Sequence, residues 1–339
     1  MQASGTTASL RGIHSVDGKV AWASGTNGTV LRTTDGGEHW TQCAIPDADK
    51  DGATLDFRGI QAWDEKTAIV MASGPGEKSR LYKTTDGCKS WTLELRNSEE
   101  DGFWDVLIHP RETYGDAKAP SDYTFLAGDP IHGHFDTWEG YPISHADIWR
   151  HTLSTCTAAS GSAIFAASNS SATVSRFESY FLAFGGKGGS QVLISPFQQF
   201  NSKAPCKTIT LPMAGGTESS GAFSLAFQDH TVPWIGIAVG GDYTKPNDPT
   251  GTAAYSTDGG QHWTASTTPP HGYRSTVQWS QDLKAWITAG TNGSDLSRDD
   301  GKTWSPIDDG NWNALSLPFV VGPKGRIARL ITTVSAPKP

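Results

Sequence analysis

Arginine recurs at one position of a repeated pattern in this chain of 339 residues. The residues at that position, which lies early in short apolar segments, are Arg11, Arg58, Trp104, Phe223, Arg274 and Asn313. Arginines that are brought close together repel one another unless an anion or carboxylates balance their charge. The pattern therefore predicts a binding site for an anionic group of a small ligand or of a partner protein. In the alternative, each arginine pairs with a neighbouring acid such as Asp105 and binds no ligand.

Other residue types extend this candidate site. Trp104, Phe223 and the nearby Tyr273 predict an aromatic surface beside the arginines. Asp129 and Asp242 each follow a glycine at the end of matching apolar segments, where loops often carry function, so both are candidate binding residues. In the alternative, both aspartates only close turns, and Lys245 pairs with the second of them.

Histidine and aspartate residues cluster at residues 131–148, which we interpret as an insertion because the repeated pattern is missing there. His132, His134 and Asp136 alternate, so on a strand they would share one face and could bind a divalent metal ion. His145 and Asp147 add to the cluster. A solvated loop is the commoner outcome for such a stretch, and we predict no metal and no cofactor.

An eight-residue pattern occurs four times and indicates the elements that position these residues. Its copies are residues 33–40, 84–91, 256–263 and 297–304. Each copy has a hydroxyl residue, an aspartate two positions later and a closing tryptophan; the fifth residue is glycine except at Cys88. The aspartate can accept backbone N–H bonds, and the glycine permits the positive φ of a tight hairpin. This is the Asp-box pattern, typical of the outer hairpin of a β-propeller blade, so we interpret its aspartates as structural and not catalytic.

Longer units surround the boxes, and each reads as four short strands, which is one propeller blade. We predict an all-β fold: a single seven-bladed β-propeller of four-stranded antiparallel blades over residues 1–339, with the ring closed by the two termini. The predicted blades are residues 10–46, 57–97, 102–158, 160–212, 221–268, 273–308 and 311–332, and an N-terminal strand near Ala8 completes the last one. Residues 110–122 and 243–252 are predicted loops.

Composition and cysteine usage narrow the classes of function. The net charge of −8 argues against nucleic acid as a partner, and no apolar run is long enough for membrane insertion. We also predict that the protein is a monomer. Residues 1–7 look like a start methionine before the mature end of an exported protein, which predicts a periplasmic or extracellular location. Four cysteines fit that location. Cys43 with Cys88, and Cys156 with Cys206, could bridge neighbouring blades, and four isolated thiols are the alternative.

The chain resembles the seven-bladed propellers related to the photosystem II stability and assembly factor, within the Asp-box (BNR repeat) superfamily. The residues that carry the resemblance are 11–13, 21–25, 29–37, 128–130, 240–243 and 322–327. It covers nearly the whole chain and weakens across residues 131–210. The resemblance implies an exported, non-enzymatic binding or assembly scaffold. Motifs for dinucleotide, haem or iron–sulfur binding are absent, so an oxidoreductase role has no support.

A sialidase-like glycoside hydrolase or a carbohydrate-binding propeller is the alternative, because sialidases also combine Asp boxes with three arginines. In these enzymes the arginines hold the sugar carboxylate while a tyrosine, activated by a glutamate, attacks the anomeric carbon. The early Arg-Ile-Pro motif of sialidases is absent, since Arg58 is followed by Gly-Ile, and Glu178 with Tyr180 is the one glutamate–tyrosine pair that we identify. The sequence therefore favours a scaffold that binds through a central funnel of arginines.

Overall fold

The computed structural model describes residues 1–109, 123–142, 145–174, 179–196, 206–228 and 234–331. Within these ranges the chain forms twenty-eight β-strands and two short 3-10 helices, at Gly52–Thr54 and Gly76–Lys78. The all-β prediction is therefore confirmed. In the same ranges no helix has the length and apolar character needed to span a membrane. The predicted loop at residues 110–122 lies outside the described residues.

The first three sheets follow the chain order, and every pair of neighbouring strands in them is antiparallel. The first sheet contains β1 (Leu10–Ser15), β2 (Ala21–Gly25), β3 (Val30–Thr33) and β4 (Thr41–Gln42). The second contains β5 (Phe57–Ala62), β6 (Ala68–Ala72), β7 (Arg80–Thr84) and β8 (Thr92–Arg96). The third contains β9 (Trp104–Ile108), β10 (Thr124–Ile131), β11 (His134–Tyr141) and β12 (His145–Thr157). Residues 131–148 are thus largely strand, and the prediction that they form an insertion is wrong.

A nine-stranded sheet occupies the middle of the chain. Its first strands are β13 (Ser162–Ala163), β14 (Ala172–Val174), β15 (Ser179–Gly186), β16 (Gln191–Pro196) and β17 (Lys207–Thr210). Its remaining strands are β18 (Ser220–Phe227), β19 (Gly236–Asp242), β20 (Ala253–Ser256) and β21 (Thr264–Ala265). The two halves meet through one residue pair, Gly185 with Gly221, where a Cβ on Gly185 would lie 2.4 Å from the Cα of Gly221. Glycine is required at this close approach of two backbones.

The last two sheets complete the described chain. One contains β22 (Thr276–Ser280), β23 (Ala285–Gly290), β24 (Gly293–Ser297) and β25 (Ser305–Asp308). The other contains β26 (Ala314–Ser316), β27 (Phe319–Gly322) and β28 (Arg326–Arg329). The N-terminus lies beside this three-stranded sheet, because the N–H of Gln2 donates to the carbonyl of Ile327 over 2.8 Å and the carbonyl of Ala8 accepts from Gly325.

The core lies between neighbouring sheets, because the two-residue period of a strand sends alternate side chains to opposite faces. In β2, Trp22 packs with Phe57 and Tyr82 of the second sheet, whereas Ala21 and Ala23 pack with residues of the last sheet. Both faces of β2 are therefore buried. Each large apolar side chain buried in this way stabilises the fold by about 1.5–3 kcal/mol.

The first strands of successive sheets contact one another in chain order. β1 contacts β5, β5 contacts β9, and β9 contacts β14. The series continues from β14 to β18, from β18 to β22, from β22 to β26, and from β26 back to β1. Residues 164–171, between β13 and β14, leave the sheet, and we call them the inner segment. Because β13 and β14 both pair with β15, this segment interrupts what would otherwise be one first strand.

The four box turns have the same hydrogen bonds. In the first, the Thr33 hydroxyl donates to Asp35 Oδ1 over 2.8 Å and accepts the N–H of Gly37 over 2.9 Å, and Asp35 also accepts the N–H of His39. The other three turns repeat these contacts. The Ser90 hydroxyl, followed by the Ser90 N–H, lowers the pKa of Asp86 to about 2. The predicted use of these aspartates to close turns is confirmed.

Two disulfides join neighbouring sheets. Cys43 follows β4 and is bonded to Cys88 in the box turn of the second sheet, with 5.3 Å between their Cα atoms. Cys156 of β12 is bonded to Cys206, which precedes β17, with 5.4 Å between their Cα atoms. The alternative of four isolated thiols is therefore wrong. Cys88 has a φ of 63°, so it adopts the left-handed conformation that glycine has in the other three boxes.

Candidate functional site

A cavity of about 480 Å³ lies where the first strands of several sheets come together, and we call it the central cavity. Its lining residues are Arg11, Arg58, Phe103, Asp105, Asp129, Ile164, Phe165, Ala166, Ala167, Phe223, Tyr243, Tyr273, Ser275, Thr291 and Asn313. Its volume lies in the range typical of small-molecule sites. Of the predicted site residues, the cavity brings together Arg11, Arg58, Asp105, Asp129, Phe223 and Asn313.

Two arginines on neighbouring first strands share one carboxylate at the cavity wall. Arg11 Nε lies 3.3 Å from Asp56 Oδ1, and Arg58 Nε donates to Asp56 Oδ2 over 2.8 Å. Arg58 Nη1 also donates to the carbonyl of Ala166 over 3.3 Å. Burial lowers the pKa of Arg11, against the opposing effect of Asp56, and both guanidinium groups remain partly exposed. The sequence suggested Asp105 as the pairing acid, but the structure has Asp56 in that role.

Asp105 and Asp129 form an acidic pair in the same cavity. Asp105 is 2% exposed, and its Oδ2 has no hydrogen-bond partner. Asp129 Oδ1 accepts the N–H of Ile164 over 2.8 Å, a contact across the fold and not a local turn. Burial, and then the charge of Asp129, raises the pKa of Asp105 well above its usual range. Burial also raises the pKa of Asp129 to about 6.

The raised pKa of Asp129 predicts a pH-dependent stability. The folded state holds this proton more tightly than the unfolded state, so the stability it contributes is complete below about pH 4 and is lost as the pH rises through about 6. Asp129→Asn keeps an acceptor for the Ile164 N–H but cannot ionise. The free energy of unfolding of the variant, minus that of the wild type, should rise by about 2–3 kcal/mol from pH 4 to pH 8 in urea titrations.

Asp242→Asn provides a control of opposite sign. The Thr244 hydroxyl is the largest cause that lowers the pKa of Asp242, so ionisation stabilises the folded state there. The same difference in unfolding free energy should fall with rising pH below about pH 4 and stay nearly constant from pH 4 to pH 8 for this variant. A difference that does not change with pH in Asp129→Asn would contradict the raised pKa.

Aromatic rings form another part of the cavity wall. Phe165 of the inner segment stacks on Phe223 of β18, with 3.8 Å between ring centroids and 12° between planes. Tyr273 and Tyr243 meet the edge of Phe223 at 4.8 and 6.2 Å. The predicted aromatic surface therefore includes Phe223 and Tyr273 as expected, whereas the contribution of the inner segment could not be read from the repeat.

Three solved structures are similar to this chain over almost their whole length. YCF48 bound to D1 peptide has a TM-score of 0.64 at 15% identity, covering 98% of this chain and 96% of that chain. YCF48 from Cyanidioschyzon merolae has a TM-score of 0.63 at 17% identity, covering 95% of each chain. The WD40 β-propeller domain of Doa1 has a TM-score of 0.62 at 9% identity, covering 98% and 97%. The protein is a β-propeller.

The similarity to YCF48 confirms, at the level of the fold, the resemblance to photosystem II assembly factor propellers. No protein-family model matches the sequence of this propeller, and no curated protein sequence matches it. At such low identities the shared feature is the fold alone. What the propeller binds must therefore be argued from its own residues.

Arg274 lies outside the central cavity, and the prediction of three arginines around a funnel is wrong for this residue. Its side chain is 0% exposed; its Nε donates to Asp295 Oδ2 over 2.7 Å and its Nη1 donates to the carbonyl of Tyr273 over 2.6 Å. Asp295 stands two residues before the box hydroxyl, where the first two units have Leu31 and Tyr82. This acid at a buried strand position holds Arg274 inside the blade, and it was the sequence signal for that placement.

Two other predicted site residues are also placed elsewhere. Trp104 is fully buried between blades and packs against Trp138, with 5.0 Å between ring centroids. Asp242 lies outside the cavity lining, where it accepts from the Thr244 N–H over 3.0 Å and pairs with Lys245 over 3.6 Å. The turn-closing alternative is thus the observed one for Asp242. Trp104 occupies the same repeat position as the arginines, but its side chain belongs to the core.

Within the described residues, His132, His134 and Asp136 do not form a group with metal-ligand geometry. Asp136 is buried on β11 and contacts His151 Nε2 across the sheet at 2.5 Å, while burial, opposed by His151, raises its pKa to about 6. His132 occupies the left-handed hairpin turn that precedes β11. The side chains of His145 and Asp147 lie outside the described residues. In the described part of the propeller, the group with metal-ligand geometry is instead half-buried Asp35 with exposed Glu38 and His39.

The glycoside hydrolase alternative loses one of its arginines in this structure. A carboxylate clamp of three arginines would need Arg274, whose guanidinium is already held by Asp295. Tyr180 is buried beside Phe125, with 4.4 Å between ring centroids, and Glu178 lies outside the described residues. No observation on the described residues favours this alternative.

Proposed function

We propose that this propeller is a non-enzymatic binding and assembly scaffold that engages a partner protein, through an acidic group, at the central cavity. The observation that carries the proposal is the sharing of Asp56 by Arg11 and Arg58 at the cavity wall. One carboxylate cannot neutralise two guanidinium groups, so positive charge remains for an incoming carboxylate or phosphate. The structure of YCF48 with a D1 peptide, which has the same fold, supports a peptide segment as the ligand.

We infer that the ring has seven blades in one domain over residues 1–339, closed by both termini. The nine-stranded sheet then counts as two blades, joined at the glycine pair Gly185 and Gly221. Contacts between successive first strands, from β1 through to β26 and back, support a closed ring. The pairing of Gln2 with Ile327 supports the N-terminus as the fourth strand of the last blade. Closure protects strand edges that would otherwise pair with other chains.

The proposed setting is an oxidising compartment outside the cytoplasm. Two disulfides support it, because such bonds persist where thiols are not kept reduced. The net charge of −8 favours a protein over nucleic acid as the partner. We propose that the propeller is a monomer and that its assembly role consists of binding the partner protein.

The double variant Arg11→Ala with Arg58→Ala tests the binding role. Selection of peptides from a random displayed library on the wild type should enrich aspartate and glutamate. Charge-assisted hydrogen bonds contribute about 1.5–3 kcal/mol each, so the selected peptides should bind the double variant at least about 100-fold more weakly by fluorescence polarisation. The library is needed because the partner is not identified, whereas the selected peptides can be synthesised and titrated.

Arg298→Ala is the matched control, because Arg298 is exposed outside the cavity and donates to the carbonyl of Leu283. It should bind the selected peptides as tightly as the wild type does. Equal affinity of wild type and double variant would overturn the proposed site. Hydrolysis of a fluorogenic sialoside by the wild type would overturn the non-enzymatic assignment.

A further inference from the structure

The acidic pair of the central cavity has a chemistry opposite to that of its arginine wall. Asp105 lines the cavity at 2% exposure, and its Oδ2 has no hydrogen-bond partner. Asp129 lies close enough to repel it. A buried carboxyl oxygen without a partner is costly, so a group that satisfies it would be bound there.

The two arginines of the cavity do not satisfy this pair. Arg58 Nε and Nη1 are committed to Asp56 and to the carbonyl of Ala166, and Arg11 lies against Asp56. No ion pair joins Asp105 or Asp129 to a basic side chain within the described part of the propeller. Arg58 is near enough only to favour ionisation of Asp105 weakly against its burial. A further cation is therefore the complement that this acidic pair lacks.

We propose that the acidic pair and the adjoining aromatic wall bind a primary alkylammonium group, such as the lysine side chain of a partner segment. The proposal rests on the binding role of the cavity proposed above and adds the second chemical group that it recognises. An ammonium donates three hydrogen bonds, which suit the free Oδ2 of Asp105 and the carboxyl of Asp129. The stacked rings of Phe165 and Phe223, with Tyr243 beside them, favour a cation and bury its methylene chain.

Binding of the ammonium should release protons. The other titratable and charged groups that line the cavity are Arg11, Arg58, Tyr243 and Tyr273, and no histidine lines it in the described residues. A bound cation favours the ionised carboxylates, whose pKa values burial raises in the free propeller. Affinity should therefore increase about tenfold from pH 5 to pH 8, because the pKa of Asp129 is about 6 while an alkylammonium stays charged throughout.

Titration with n-butylamine hydrochloride, followed by amide chemical shifts, tests this inference. The wild type should bind the amine, bind it more tightly at pH 8, and show no saturable shift with n-butanol. Asp105→Asn and Asp129→Asn should each weaken amine binding at least tenfold, and circular dichroism should show that each variant is folded. Asp242→Asn, outside the cavity, should bind as the wild type does.

The outcomes separate this inference from the proposed function. Arg11→Ala with Arg58→Ala should retain amine binding although it loses the acidic peptides. Peptides selected on the wild type should contain lysine beside the acidic residue, and peptides selected on Asp105→Asn should not. This result supports a lysine of the partner as the source of the ammonium group. Amine binding without lysine enrichment supports a free small amine as the source. No shift with n-butylamine, equal shifts with n-butanol, or unchanged binding in both aspartate variants would overturn the ammonium site.

Discussion

Asp295→Ala is expected to lower the free energy of unfolding by about 3–5 kcal/mol. The change leaves the guanidinium of Arg274 buried at 0% exposure without its carboxylate, and burial already lowers the pKa of this arginine against the opposing effect of Asp295. The neighbouring side chains His271 and Asn292 hydrogen-bond to Arg274 but carry no negative charge. Urea unfolding followed by tryptophan fluorescence would measure the change.

Glu218→Ala is the matched control for this prediction. Glu218 pairs with Lys187 at 2.7 Å, but the two side chains are 80% and 61% exposed. Exposed pairs contribute little to stability, so this variant should unfold at the same urea concentration as the wild type. If Asp295→Ala lowers the free energy of unfolding by less than about 1 kcal/mol, groups other than Asp295 stabilise the charge of Arg274.

Removal of the disulfide between Cys43 and Cys88 is expected to lower the free energy of unfolding by about 4 kcal/mol. The bond closes a loop with a sequence separation of 45 residues, so its loss increases the conformational entropy of the unfolded chain. It also ties the first blade to the second at their outer edges, where β4 has only two residues. The double variant Cys43→Ser with Cys88→Ser, compared with wild type in urea, would measure the loss.

A second variant separates the bond from the backbone of the box turn. Cys88 has a φ of 63°, which glycine adopts without strain. Cys43→Ser with Cys88→Gly should therefore recover about 1 kcal/mol relative to the double serine variant. If the free energy of unfolding of both variants lies within about 1 kcal/mol of the wild-type value, the disulfide does not restrict the conformational entropy of the unfolded chain.

Local structure was predictable here because the box turns are closed by residues within eight positions of one another. The hydroxyl, the aspartate and the N–H groups at the fifth and seventh positions close each turn, so one pattern identified four hairpins. The cysteine pairing was predictable as one of two alternatives, because each bridge links successive units. Neither prediction required knowledge of contacts between distant blades.

The direction of cavity side chains was not predictable from the repeat. Arg11, Arg58 and Arg274 share a repeat position, but the acid that meets each one comes from elsewhere: Asp56 for the first two and Asp295 for the third. The repeat predicts which backbone positions are equivalent in different blades. The direction of a charged side chain depends on its charge partner, which is not part of the repeat. Acids at otherwise apolar strand positions were the signal that would have located Arg274.

The inner segment also could not be predicted from the repeat, because it replaces part of a strand. Its contacts reach several blades: Asn169 with Leu107, Ser168 with Ser275 and Ser170 with Ser224. A two-residue β13 followed by a three-residue β14 gives a pattern too short to reveal the gap between them. The sequence therefore identified the blade and missed the residues that line the cavity from within it.

The inner segment has an energetic consequence for ligand binding. Its hydrogen bonds reach Arg58, Leu107, Ser224 and Ser275, which lie in or next to the first strands of several sheets. Phe165, Ala166 and Ala167 of the same segment line the central cavity. A ligand that contacts this segment in the folded state should therefore increase the resistance of the whole propeller to urea, because binding and the packing of the sheets share one free energy.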